Sequence, residues 1–449
     1  MRSNPPTPKL ATAPPGWVFR ESRRLAGDPV GFFTKLADEF GAFARFDMGR
    51  RKFYLINEPG LIQELLIAHA AETEKFPRLR RGRGLFGDGL LTSEEPLHMR
   101  QRRLMQPAFH SEKIAGYARA MVECAEATAA RWRDGAIVDV AAEMNRLALA
   151  IVSRTLFTAN TDADAASISE SLDEILVMLN RLVLPPGELR LLLPLPSTLR
   201  YKRALRRLDE VVFRLIGARR ASGAGSGDLL DLLMAARDDL GGAMDDEQLR
   251  DEVVTLFVAG HDTTANALAW TWHHLSREPA VLRRMEACLD RVLEGRLPAA
   301  GDYPALDEVE RVVAEAIRLH PPVWILGRRP KNALELGGER MDRDSILLVC
   351  MAVLHRRPEL WPEPAKFDPG RHTPEARQWR PRYGYLPFGA GSRLCIGERF
   401  AWMETVLCVA TIARSWRLES AGGDVSPRAL LTLRPRHGLR LRAMRRSTS

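Results

Sequence analysis

The stretch Phe388-Gly389-Ala390-Gly391-Ser392-Arg393-Leu394-Cys395-Ile396-Gly397 constrains this chain more than any other. It lies between a segment broken by Pro381 and Pro387 and an apolar run, about Glu398 to Trp416, that reads as a helix. Its glycines disfavour a helix or strand interior, so it is an irregular loop. The loop delivers one cysteine to a helix start. There the free backbone N–H groups and the helix dipole favour a thiolate over a thiol. A thiolate is a soft ligand that suits iron or copper. The glycines let the backbone pass close to something flat and large. Arg393, two residues before the cysteine, is placed to meet an anionic group on it, such as a carboxylate.

The stretch resembles the haem-ligating loop of the cytochrome P-450 family, with Phe388, the glycines, Arg393, Cys395 and Gly397 in the family's places. The resemblance implies haem b (iron protoporphyrin IX) as cofactor and Cys395 as the metal ligand. Phe388, Arg393 and Gly397 are then cofactor-binding residues. An axial thiolate pushes electron density toward O–O cleavage. The plainer alternative is a buried structural cysteine in a Gly-rich turn; the rest of the chain bears on the choice.

At 449 residues the chain is long enough for about three domains, yet no linker supports a split. Cys124, Cys288, Cys350, Cys395 and Cys408 show no pair spacing, which argues against a disulfide framework or a structural zinc site. No run approaches the ~18 apolar residues of a membrane span. The expectation is a soluble, bacterial-type, cytoplasmic member without a membrane anchor, acting as a monomer. Residues 1–27, rich in proline, are expected to be an extended lead-in, 28–442 one catalytic domain and 443–449 a basic tail. The net charge of +9 comes without a nucleic-acid recognition motif. A basic face suits the docking of an acidic electron carrier instead, with Arg100, Arg103 and Arg399 as candidates.

Phe43 to Ile56 reads as a β-hairpin. Arg78 to Gly89 is too rich in Arg and Gly to be regular, and the resemblance makes it a loop over the haem with Leu85 and Phe86 facing substrate. In the helix from Leu97, His98 and Arg102 are four apart and share a face. The resemblance assigns them to the haem propionates, with histidine where many members have tryptophan. A proline-broken apolar segment around Pro185 to Pro196 falls where the family has a lid. Ala221 to Gly227 reads as a surface loop.

Asp245 and Asp246 start a long helix that runs to about Arg277. Within it, Ala259-Gly260-His261-Asp262-Thr263-Thr264 breaks several helix preferences at once, which marks a functional site. A small residue lets a ligand approach, a threonine hydroxyl offers a hydrogen bond, and a carboxylate relays protons. This resembles the family's acid–alcohol pair, which implies Asp262 and Thr263 as catalytic residues for proton delivery. Phe257, Val258 and Ala259 are expected to face substrate.

Glu315 and Arg318 stand three apart on a helix, an ordinary surface pair taken alone. Followed by Leu319-His320-Pro321-Pro322, they resemble the family's Glu-x-x-Arg element, and Arg371 is the matching third member. Gly370 and His372 depart from the family pattern there. The three are expected to stabilise the fold. Val323, Trp324 and Ile325 are expected to line the pocket, as is Leu431 near the end of the chain. Arg329, in preference to Arg328, is expected to reach a propionate.

The resemblance implies a mainly α fold with a smaller β-rich lobe, the cytochrome P-450 fold. The implied function is a haem-thiolate monooxygenase that hydroxylates an apolar organic substrate with O2. Its electrons come from a separate ferredoxin or flavodoxin with its reductase, since no flavin loop or iron–sulfur cysteine cluster is present. The alternatives are a haem-thiolate peroxygenase or isomerase, and a non-enzymatic haem sensor.

Overall fold

The computed structural model describes residues 8–446 except 78, 158–167, 169, 173, 176, 179–192, 194, 223–226 and 239–240. Most of the expected lid around Pro185–Pro196 and most of the loop Ala221–Gly227 lie outside the described residues.

The helical part is assembled around the helix Asp246–Leu275. Asp245 caps it by accepting from the Gln248 N–H, Asp246 and Glu247 occupy its positive end, and His273 and His274 its last turn. Apolar residues ring its second half; Trp270, Trp272, Leu268 and Ala269 are all buried, as an interior helix requires. The helix Val140–Phe157 packs along it, and a Cβ added at Gly260 would stand 3.0 Å from Val152 Cγ2. The glycine in the unusual turn therefore serves helix–helix packing, not the approach of a ligand. The helix Glu398–Ala413 lies between Ser111–Ala130 and the central helix, and its buried run Val406–Ala413 joins the largest core cluster. Burying each such Leu or Val contributes about 1.5–3 kcal/mol.

The β lobe is a six-stranded sheet in the order Ala11–Thr12, Phe43–Met48, Arg51–Ile56, Ile346–Val349, Leu326–Pro330, Thr73–Lys75. Ile346–Val349 is buried at all four positions, as its unbroken apolar sequence requires of a strand covered on both faces. The outer pairing fixes the site: Lys75 stands opposite Arg328 and Glu74 opposite Arg329. Opposed residues share a face and successive ones alternate, so Arg328 and Arg329 point to opposite sides of the sheet.

Three local expectations are corrected. The lead-in is not simply extended: Ala11–Thr12 pairs with Phe43–Met48, and Trp17, 3 % exposed, anchors the first of two short helices by packing against Phe32 at a tilt and Phe40 edge-on. The basic tail begins later, because the strand Arg440–Arg445 pairs with Trp416–Ser420. Arg78–Gly89 is partly regular, with a 3-10 turn at Leu79–Gly82 and a helical turn at Arg83–Phe86.

Candidate active site

The cysteine loop is held by its own backbone. The Cys395 N–H donates to Phe388 O at 3.0 Å, and Leu394 N–H to Gly391 O at 3.0 Å. Gly391 has φ +73°, and a Cβ there would fall 2.1 Å from Leu66 O, so the turn requires glycine. Phe388 meets Trp402 edge-on at 5.5 Å. Gly397 caps the helix Glu398–Ala413 and turns its N–H toward the Cys395 sulfur. Among the five cysteines only Cys395 is exposed. Yet protein surrounds it so closely that burial pushes its thiol up to about 11, against the opposing pull of the Gly397 N–H and Arg102. The residue thus lines a deep open cleft. A bound metal ion would favour the thiolate at this position.

One side of the cleft is cationic. Arg102, on the helix Leu97–Met105, donates through Nη1 to Leu394 O at 2.6 Å. Arg393 donates through Nη2 to Glu94 at 2.5 Å, while its Nε and Nη1 are buried without a protein partner. Burial, with Lys75, Arg393, Arg102 and Arg328 pressing on it as well, lowers the His98 pKa to about 3, so it is neutral. Arg328 is pushed down to about 10 by burial and by Arg393. Arg329 is instead paired with Glu74 on the other face. The arginine that belongs to the group is therefore Arg328, a correction that the strand register explains. Lys75 was missed altogether: its Nζ is buried between Leu90 O and Ser93 O, both at 2.7 Å, and its pKa falls to about 7. Nothing in the local sequence Thr73-Glu74-Lys75 announces a buried lysine.

These residues fit haem. Orphaned guanidinium nitrogens among further cations suit two carboxylates on a flat ring. No group of three or more His, Cys, Asp or Glu side chains among the described residues could hold a metal ion. An iron at Cys395 would accordingly take its remaining ligands from a macrocycle.

The central helix carries a second exposed position. Ala259 is exposed although Phe257, Val258, His261 and Asp262 are buried. Thr263, one turn on, is half-buried and donates to Ala259 O at 2.6 Å. Asp262 points elsewhere. Its Oδ2 accepts from Thr432 Oγ1 at 2.5 Å, its Oδ1 lies 3.3 Å from Asn266 Nδ2 and 3.6 Å from Arg434. The acid and the alcohol therefore do not touch. Asp262 is held by the turn and second strand of the hairpin Pro427–Ala429/Leu433–Pro435, a partnership across the whole chain that no local pattern reveals.

Leu85, Phe86, Phe257 and Val258 gather in one core cluster, with Leu90, Ile396 and Leu431 packed against it. Phe257 lies two residues from Ala259, hence on the far face of the helix, and does not share the Ala259–Thr263 face as expected. Trp324 and Ile325 join a different cluster, beside Phe33; the Trp324 Nε1 donates to Leu430 O at 2.9 Å. Val323, next to them in the segment before the strand Leu326–Pro330, remains exposed. Arg100 is tied to Asp238 at 2.7 Å, whereas Arg103 and Arg399 are exposed. A cleft of about 420 Å³ bordered by Lys35, His320, Arg356 and Leu433 shares no residue with this site.

Behind the site, Arg318 grips Glu315 with bonds of 2.7 and 2.8 Å, and Arg371 Nε approaches Glu315 at 3.5 Å. The closer third partner is His372, fully buried, with Nε2 2.9 Å from Glu315 Oε2. The departure from the family pattern at this position supplies a hydrogen bond.

A second buried acid was also missed. Glu404, one face of the helix after Cys395, is 0 % exposed and accepts from Thr264 Oγ1 at 3.1 Å. Burial raises its pKa to about 8, so the fold holds it as a neutral acid. An unfolded glutamate ionises near 4.5. Its contribution to stability is thus intact below that value and is lost as pH rises toward 8, by up to about 1.4 kcal/mol per pH unit. Glu404→Gln keeps the bond to Thr264 and removes the titration. Thermal melts at pH 6 and pH 8 should show a larger drop for wild type than for the variant; equal drops would contradict this burial.

Comparison with known proteins agrees with the geometry. The model of the family described as Cytochrome P450 matches residues 10–439. Cyclooctatin synthase of Streptomyces melanosporofaciens is 38 % identical over 413 residues, 91 % of this chain and 90 % of that protein. Cyclooctat-9-en-7-ol 5-monooxygenase of the same organism is 36 % identical, covering 93 % and 94 %. Pentalenene oxygenase of Streptomyces avermitilis is 35 % identical, covering 93 % of each. Among solved structures, the haem domain of cytochrome P450DA superposes with TM-score 0.89 at 29 % identity, covering 98 % of both chains.

Proposed function

The chain belongs to the cytochrome P450 family and is a monooxygenase with haem as cofactor, and we propose that it hydroxylates an apolar polycyclic substrate of terpenoid type. The observation that carries this reading is the cleft itself. Cys395 lines it, Arg393 offers two unpaired nitrogens beside it, and Ala259 and Thr263 share an open face of the central helix. The relatives' names support the substrate class: one is a monooxygenase of cyclooctat-9-en-7-ol and another an oxygenase of pentalenene.

The haem would be haem b, held through the Cys395 sulfur. Bound haem supplies the activation of O2 and the insertion of one oxygen atom. His98, Arg102, Arg328 and Arg393 would hold its two carboxylates. Thr263 presents a hydroxyl on the open helix face. Asp262, anchored by Thr432 and Arg434, is the acid that returns protons toward that face. Leu85, Phe86, Val258 and Leu431 exclude water and pack the hydrocarbon. Electrons arrive from a separate ferredoxin or flavodoxin with its reductase, which docks over the exposed Arg103 and Arg399. Residues from about Ala11 to Arg445 act as one catalytic domain. No helix among the described residues is long and apolar enough to cross a membrane; the reading extends to a cytoplasmic monomer.

Asp262→Asn tests the proton role. The amide keeps the Thr432 contact and removes the acid, so turnover with a terpenoid substrate should fall about 10²-fold while substrate affinity stays within threefold. Unchanged turnover would sink the assignment.

A further inference from the structure

Lys75 belongs to two networks at once. Through its strand it joins the cationic side of the cleft. It stands opposite Arg328 in the sheet, so the two side chains share a face. Its backbone N–H donates to Glu94 Oε1 at 2.7 Å, and Glu94 Oε2 accepts from Arg393 at 2.5 Å. One carboxylate therefore ties this strand to the cysteine loop.

Through Nζ, Lys75 holds the loop after Phe86, donating to Leu90 O and to Ser93 O at 2.7 Å each. Three consecutive residues of the central helix grip the same loop from the other side. Arg250 Nη1 donates to Leu85 O at 2.6 Å, Asp251 Oδ2 accepts from Asp88 N–H at 2.8 Å, and Glu252 Oε2 accepts from Leu90 N–H at 2.9 Å. Leu90 is thus held at its carbonyl by the sheet and at its N–H by the helix. Removing one of these anchors leaves a buried carbonyl or N–H without a partner, so the loop depends on both.

Charge links the two networks. Burial is the largest push on the Lys75 ammonium toward losing its proton, and Arg393 and Arg328 add to it. Glu94 and Glu252 pull the other way. Burial raises Glu252 to about 8, so at pH 7 it is neutral and compensates little. Lys75, Arg102, Arg328 and Arg393 all bear on His98, so four cations crowd this side of the cleft. Two carboxylates from bound haem bring the group closer to neutrality. An ammonium kept in its charged form makes hydrogen bonds about twice as strong as a neutral amine does.

We propose that Lys75 is a positioning residue that couples haem binding to the order of the loop carrying Leu85 and Phe86. The cofactor's carboxylates balance the charge around Lys75, and Lys75 in turn fixes Leu90 and Ser93. The proposal rests on the assignment of Arg328 and Arg393 to those carboxylates.

Hydrogen exchange of residues 87–93 tests it, in protein loaded with haem and in protein loaded with haem dimethyl ester, whose carboxylates are masked. In wild type these residues should exchange about tenfold faster with the ester, the worth of one hydrogen bond to a charged group. Lys75→Met and Lys75→Gln should make the loop exchange fast with either cofactor, the two differing by less than about threefold, while the helix Asp246–Leu275 stays protected. Equal protection by haem and ester in wild type, or a tenfold difference that persists in both variants, would overturn the coupling. Affinity separates the coupling from the assignment beneath it. Wild type should bind haem at least about tenfold tighter than the ester, and equal affinity would overturn the assignment of the arginines as well.

Discussion

Arg318→Met is expected to abolish recovery of folded, haem-loaded protein. Arg318 is 0 % exposed and makes five hydrogen bonds, two to Glu315 and one each to His355 O, Pro364 O and Lys366 O, at 2.7–3.0 Å. A guanidinium has five N–H groups, so every donor is satisfied. Methionine fills much of the volume but leaves three carbonyls and one carboxylate without their partner. His372, Arg371 and the Asp368 N–H still hold Glu315. Breaking a buried pair on one side costs about 3–5 kcal/mol, against a total stability of about 5–15 kcal/mol. The exposed pair Arg311–Asp307 provides the control; Arg311→Met should change stability by less than about 1 kcal/mol. The yield of folded, haem-loaded protein from both variants checks the contrast, with urea unfolding of whatever is recovered. Arg318→Met within about 1 kcal/mol of wild type would show that the triad does not hold the fold.

Cys395→Ser is expected to keep the fold and lose oxygen insertion. The Cys395 side chain makes no contact that the core needs, and the backbone bond to Phe388 O survives the change. Serine is nearly isosteric, but its oxygen is a hard, weakly donating ligand in place of a soft one. Turnover should fall by about 10³-fold or more, the equivalent of ~4 kcal/mol of barrier. Circular dichroism of the variant should match wild type. Retained turnover would remove the cysteine from the chemistry.

The parts legible in the sequence were those written in contiguous residues. The cysteine loop, the Glu315–Arg318 pair and the Asp262–Thr263 turn each carry their pattern within ten positions, and the apolar run at Ile346–Val349 announced a strand buried on both faces. Distant partnerships were not legible. Thr432 and Arg434 reach Asp262 across 170 residues, and Glu94 meets Arg393 across 299. Choosing between Arg328 and Arg329 depends on strand register, where a slip of one residue moves every side chain to the other face. Phe257 sits off the Ala259–Thr263 face for a similar reason: adjacent positions on a helix face different neighbours.

The absorption spectrum of the reduced, carbon-monoxide-bound protein, wild type beside Cys395→Ser, tests the central claim most directly. Ligation by the Cys395 thiolate predicts a strongly red-shifted Soret band in wild type that is absent from the variant. A band in wild type at the position typical of nitrogen ligation, or the same red-shifted band in both proteins, would contradict it.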